Sequence, residues 1–199
     1  MRRIILATFL SLWLAPWSTP VAAETAEAVA NESLVRELRA GAVVLLRHAQ
    51  TSPGVGDPPG WRPNVCASQR NLDAGGQAQA RRIGQWFSAQ GLTVTQVRQS
   101  PMCRTRDTAR LAFGRGDDWA ALDSIFEDRS RAAAQAAAAQ EALAAAKPGQ
   151  LMVWVSHSVT IALIVGEAGN GLAPGEAVVV RWNGQPGMPL RVLGRLRVP

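Results

Sequence analysis

AVVLLRHAQT, residues 42–51, is a short run of apolar side chains that ends abruptly in Arg47-His48. Val43 to Leu46 has no polar alternation, the pattern of a strand buried on both faces of a parallel sheet. Upstream, residues 31–40 (NESLVRELRA) read as a short amphipathic helix stopped by Gly41. Downstream, residues 52–71 form a long loop rich in Pro and Gly, of the kind that is functional when it occurs inside a compact domain. Asp73 is placed to cap a helix running to about Gln90, with Ile83, Trp86 and Phe87 on one face and Gly91 just past its end.

The same alternation continues to the C-terminus. Thr95–Gln99 is a second strand, and Ser100-Pro101 is a helix start, a capping hydroxyl followed by proline at the first helical position. Residues 121–126 (ALDSIF) read as a third strand, residues 131–146 as an alanine-rich helix, Leu151–Val155 as a fourth strand and 159–166 as the helix behind it. Ala177–Trp182 and Leu190–Leu193 are two closing strands joined by a turn over Asn183-Gly184. Strands alternating with helices imply an α/β sandwich with a mainly parallel central sheet.

The chain has 199 residues, enough for one domain, with no repeat or linker after residue 24. Its first residues read as a secretory signal: Arg2 and Arg3, an apolar run over Ile4–Leu14, then the small residues of Val21-Ala22-Ala23 before Glu24. That run is shorter than the roughly 20 residues a spanning helix needs. The expected organisation is therefore a signal peptide over 1–23 and one domain over 24–199. The mature protein is expected in the periplasm or secreted, without stable membrane insertion. Two cysteines, Cys66 and Cys103, make an even count, which in an oxidising compartment favours a disulfide. A cysteine nucleophile of the tyrosine-phosphatase type is excluded, because six positions on from each stand Leu72 and Ala109 and not arginine. The net charge is +6, two charges of which leave with the signal, and Lys147 is the only lysine. The arginines are dispersed along the chain, which argues against a nucleic-acid partner.

There are two histidines, His48 and His157, and each directly follows an expected buried strand. Arg104 falls in the first turn of the helix after strand two, and Glu127 closes strand three. In open α/β sheets ligands bind at the carboxyl ends of the strands. Four strand ends therefore deliver His, Arg, carboxylate and His to one edge. Two histidines and a carboxylate could hold zinc, but Arg47 and Arg104 would repel a dication and suit phosphate oxygens instead. The expected helix start at Ser100 adds free backbone N–H groups. Such a site calls for an anion and no metal.

Leu45-Leu46-Arg47-His48-Ala49-Gln50-Thr51 resembles the arginine-histidine signature of the histidine phosphatase superfamily, in the branch named after cofactor-dependent phosphoglycerate mutase (branch 1). Asn71-Leu72 with Gly76-Gln77-Ala78 resembles that family's first helix. Ser100-Pro101-Met102-Cys103-Arg104 with Thr108-Ala109 resembles its second arginine motif, and Val155-Ser156-His157-Ser158 its second histidine motif. Ala49 and Ser158 depart from it, standing where many members have glycine. The resemblance implies a three-layer α/β/α sandwich and metal-independent hydrolysis of a small phosphomonoester, with no cofactor. His48 would be the nucleophile, forming a phosphohistidine, with Arg47, Arg104 and a charged His157 on the phosphate. Glu127 fits the proton donor by position, with Asp128 and Asp57 as alternatives; Arg70 and Trp61 are candidates to line the entrance. A Cys66–Cys103 bridge would tie the long loop to the turn bearing Arg104. A phosphomutase is disfavoured by the compartment. A catalytically silent phospho-ligand binder is disfavoured by the presence of His48 and Glu127.

Overall fold

The computed structural model describes residues 32–185 and 188–198; the expected signal peptide, residues 1–23, lies outside them. In chain order the elements are a helix over 32–39 (α1), β1 Ala42–Arg47, α2 Ala74–Ala89, β2 Gln96–Gln99, α3 Cys103–Phe113 and β3 Asp117–Asp118. They continue with α4 Ala132–Ala144, β4 Leu151–Ser156, α5 Ser158–Val165, β5 Glu176–Gln185 and β6 Met188–Arg197. One six-stranded sheet has the order β3-β2-β4-β1-β5-β6. The pairs β3–β2, β2–β4 and β4–β1 are parallel, and β5 and β6 close the other edge antiparallel.

The alternation of side chains in a strand divides the core in two. Ala42, Val44 and Leu46 of β1 face a cluster with Val153 and Val155 of β4 and with Leu38, Ile83, Phe87 and Ala109 from α1, α2 and α3. Val43 and Leu45 face the opposite cluster, with Trp154 of β4 and Ala139, Leu143, Ile161 and Ile164 from α4 and α5. Helices thus cover both faces of a mainly parallel sheet, the expected three layers. Burial on both faces is why β1 and β4 read as unbroken apolar runs.

Asp73 caps α2 by accepting from the Gly76 N–H at 2.7 Å, and Gly76, Ala80, Ile83 and Phe87 form its buried stripe. A Cβ on Gly76 would lie 1.8 Å from the Gln50 carbonyl oxygen. Glycine there lets α2 pack directly on the chain leaving β1.

Three local readings are corrected. Residues 121–126 are not a strand. Ala120–Leu122 is a 3-10 turn, and the edge strand is the exposed pair Asp117–Asp118, registered on Arg98 and Gln99. Side-chain donors replace ladder partners there: Gln135 reaches the Ala120 and Asp123 carbonyls, Ser156 that of Leu122 and Thr160 that of Asp123. The apolar signal of Leu122 and Ile125 comes from burial in a turn, and the true edge strand is acidic, so it emits no such signal. Secondly, α3 begins at Cys103, because Ser100 still pairs with the sheet through its N–H to Val155 O. Thirdly, Asn183 and Gly184 belong to β5, whose antiparallel pairing with β6 runs as far as Gln185 on Met188.

Candidate functional site

Strand register sets the site. Arg47 of β1 pairs with Ser156 of β4, and the His48 N–H donates to Ser156 O at 2.9 Å, so the residues following the two strands stand side by side. The imidazoles of His48 and His157 are 5.4 Å apart between centroids and meet edge to face. β2, on the far side of β4, carries the chain to Ser100, and the first turn of α3 presents Arg104. Thr108 ties α3 to β1, its hydroxyl accepting from the Ala49 N–H at 3.0 Å and donating to Arg104 O at 2.7 Å.

Arg47, His48, Arg70, Arg104 and His157 share a cavity of about 310 Å³ at the carboxyl edge of the sheet. Three guanidinium groups therefore converge. Their Nε atoms, on Arg47, Arg70 and Arg104, are all buried without a hydrogen-bond partner. Burial, followed by the charges of Arg70 and Arg104, pushes Arg47 below the usual arginine range. Burial likewise lowers Arg104, against the pull of Asp57. Like charges and orphaned donors in one cleft form a receptor for a multivalent anion. Among the described residues, no three His, Cys, Asp or Glu side chains are grouped to hold a metal ion.

Burial first, then the neighbouring arginines, pull the His48 imidazole down to about 3, against the Ala49 carbonyl, which lies 2.8 Å from Nδ1. The ring is neutral at physiological pH. Donating Nδ1–H to that carbonyl leaves the lone pair on Nε2. His157 is also held well below its ordinary value, by burial and then by His48 and the arginines. In the free site a buried imidazole facing three guanidinium groups favours its neutral form; the charged His157 expected from the sequence is the one on a bound phosphate. Its Nε2 lies 3.0 Å from Ser100 Oγ, which donates to Asp123 at 2.8 Å.

The helix start supplies fewer free donors than expected. The Met102 N–H is 3.3 Å from Ser100 Oγ, and the Cys103 N–H donates to Gln69 Oε1 at 3.0 Å. Glu127 lines the cavity from an exposed bend, not from a strand end, and accepts from Trp61 Nε1 at 3.0 Å. Asp128 is exposed, and its carboxylate is held by the Ser130 N–H and hydroxyl. Asp57 is the carboxylate nearest the arginines. Its side chain is 5% exposed and accepts from Arg104 Nη1 at 2.9 and 3.1 Å and from the Arg70 N–H at 2.8 Å. Arg70 donates in turn to Thr51 Oγ1 and Gly54 O. Arg70 and Trp61 do line the cavity; Arg70 as a third guanidinium there, and Asp57 as the Arg104 counter-charge, go beyond the sequence reading. Their only sequence signal was membership of the long loop. Cys66 and Cys103 are bonded, fastening that loop to the first residue of α3.

Residues 43–125 match the family model of the histidine phosphatase superfamily (branch 1). Over that segment, less than half of its length, the chain is similar to that superfamily. Solved structures share the fold at low identity. The protein histidine phosphatase SixA complexed with tungstate is 15% identical, with a TM-score of 0.53 over 78% of this chain and 96% of that one. Phosphoserine phosphatase from Entamoeba histolytica in complex with 3-phosphoglyceric acid is 12% identical, with a TM-score of 0.55 over 79% and 97%. A mycobacterial glucosyl-3-phosphoglycerate phosphatase complexed with VO3 is 17% identical, with a TM-score of 0.54 over 77% and 97%. No curated protein sequence matches the chain. The family match ends before His157, but the parallel pairing of β1 and β4 brings His157 beside His48 all the same.

Proposed function

We propose that this chain is an exported phosphomonoester hydrolase of the histidine phosphatase kind, working through a phosphohistidine on His48. The observation that carries the reading is a pair of neutral imidazoles 5.4 Å apart sharing one cavity with three arginines. His48 Nε2 attacks phosphorus in line with the ester oxygen. The P–N bond forms as the P–O bond breaks, and the alcohol departs with a proton from Glu127. Water activated by the same carboxylate then attacks the phosphohistidine, releasing orthophosphate and His48. Arg47, Arg104 and His157 bind the phosphoryl oxygens, and for a loose transition state such positioning and charge supply most of the acceleration. Arg70 adds a third guanidinium. His157 holds its single proton on Nε2 toward Ser100, so a bound dianion draws a second proton onto Nδ1 and makes the ring a donor. The arginines disfavour a dication, so turnover needs no metal.

We also propose that residues 1–23 are removed on export and that 24–199 form the phosphatase domain in the periplasm. The Cys66–Cys103 disulfide suits that compartment, and no helix among the described residues is long and apolar enough to cross a membrane. In this reading the disulfide holds Asp57 and Arg70 against Arg104. The test is hydrolysis of an aryl phosphate by the purified protein. Activity should persist in EDTA and vanish in His48→Ala, and quenching in alkaline denaturant during turnover should trap a base-stable, acid-labile phosphate on the chain. An active His48→Ala protein would exclude this mechanism.

A further inference from the structure

Among the described residues, three large apolar side chains are exposed: Val55 at 85%, Phe126 at 54% and Val192 at 43%. Two of them line the same cavity as the histidines. Val55 sits on the disulfide-tethered loop, and Phe126 on the segment facing it. The two walls nearly touch, since a Cβ built on Gly56 would lie 3.5 Å from the Phe126 ring and 3.7 Å from Glu127 Oε1. Trp61, anchored through Nε1 to Glu127, adds a second ring beside them. Exposed apolar side chains are unremarkable when scattered, but a cluster at the mouth of a charged cavity marks a binding surface. The same edge carries the exposed carboxylates of Glu127 and Asp128, while the Arg131 guanidinium lies 3.5 Å from Asp123. The floor of the cavity is cationic and its mouth is apolar with an acidic edge.

We infer that Val55, Trp61 and Phe126 form a subsite for the alcohol portion of the substrate, selecting phosphomonoesters whose alcohol is uncharged and presents an apolar or planar face. The inference rests on the phosphatase reading and adds its substrate class. A phosphate on the arginine floor projects its ester oxygen toward the mouth, where the alcohol meets the two rings and Val55. An alcohol with its own carboxylate or second phosphate meets the Asp128 carboxylate there and is repelled.

The test compares three substrates on the purified protein: ethyl phosphate, 2-phenylethyl phosphate and 3-phosphoglycerate. The first two release alkoxides of similar basicity, so their difference reports the ring and not the chemistry of departure. The expected kcat/KM for 2-phenylethyl phosphate exceeds that for ethyl phosphate by about tenfold, the scale of an apolar pocket contact, and 3-phosphoglycerate falls below both. Phe126→Ala, and independently Val55→Ser, should each narrow the phenylethyl-to-ethyl ratio. A ratio near one, or a ratio unmoved in both variants, overturns the subsite while leaving the phosphatase reading intact. Absence of hydrolysis with all three substrates overturns both.

Discussion

Asp57→Asn probes the electrostatics of the cavity directly. Asp57 and Arg104 side chains are each 5% exposed, and both carboxylate oxygens lie within 3.1 Å of Arg104 Nη1. At an effective dielectric near 20, opposite charges about 4 Å apart attract by about 4 kcal/mol. Removing one partner of a buried pair typically costs about 3–5 kcal/mol, because the other charge stays desolvated. Here the remaining guanidinium also faces Arg47 and Arg70. Asparagine is isosteric and keeps one acceptor, so the lower end applies, and about 3 kcal/mol corresponds to a melting point lowered by roughly 6–12 °C in a domain of this size. Orthophosphate should then behave oppositely. In the native protein an incoming anion meets a carboxylate already on Arg104; in the variant it does not, and its affinity should rise at least about tenfold. Thermal melts over an orthophosphate titration measure both quantities, since a ligand binding only the folded state stabilises it in proportion to the logarithm of its concentration over Kd. A drop below about 2 °C, or phosphate shifts equal in the two proteins, would refute Asp57 as the counter-charge that an arriving anion encounters.

Glu127→Gln should slow alkyl phosphate turnover by about 10²–10⁴, the usual worth of general acid–base help, and slow an activated aryl phosphate much less; equal losses would point to another donor. Cys66→Ser opens a link across 37 positions, for which the chain-entropy model gives a stability loss of about 4 kcal/mol, readable by urea denaturation under oxidising conditions. Both imidazoles are held below their ordinary value, so unfolding lets them take up protons. Their stabilisation is complete above about pH 6.5 and is lost as pH falls toward the His48 value of about 3. Melting points should fall over that window, and His48→Gln should flatten the fall; an unchanged slope would contradict the burial argument.

The strands that carry the histidines were legible because they are buried on both faces. Unbroken apolar runs over Val43–Leu46 and Leu151–Val155 leave little other reading, and α2 announced itself through Asp73 and its spaced apolar face. Legibility failed where burial and secondary structure part company. Leu122 and Ile125 are buried in a turn held by Gln135, Ser156 and Thr160 through hydrogen bonds spanning 12 to 37 positions, which no local window contains. β3 was silent because an edge strand of two aspartates has no apolar face to detect.

Sequence alone determined the residue types at the strand ends, Arg47-His48, Arg104 and His157, and through them the demand for an anion, since periodicity and residue chemistry are local properties. Only the tertiary structure decided how those groups meet. The parallel register of β1 on β4 sets the two imidazoles 5.4 Å apart, and the folded loop brings Arg70 to the floor and Asp57 onto Arg104. Those outcomes depend on contacts between distant segments and on the water they exclude. The same burial holds His157 well below its ordinary value in the free site. Desolvation belongs to the packed cavity and not to any residue within it.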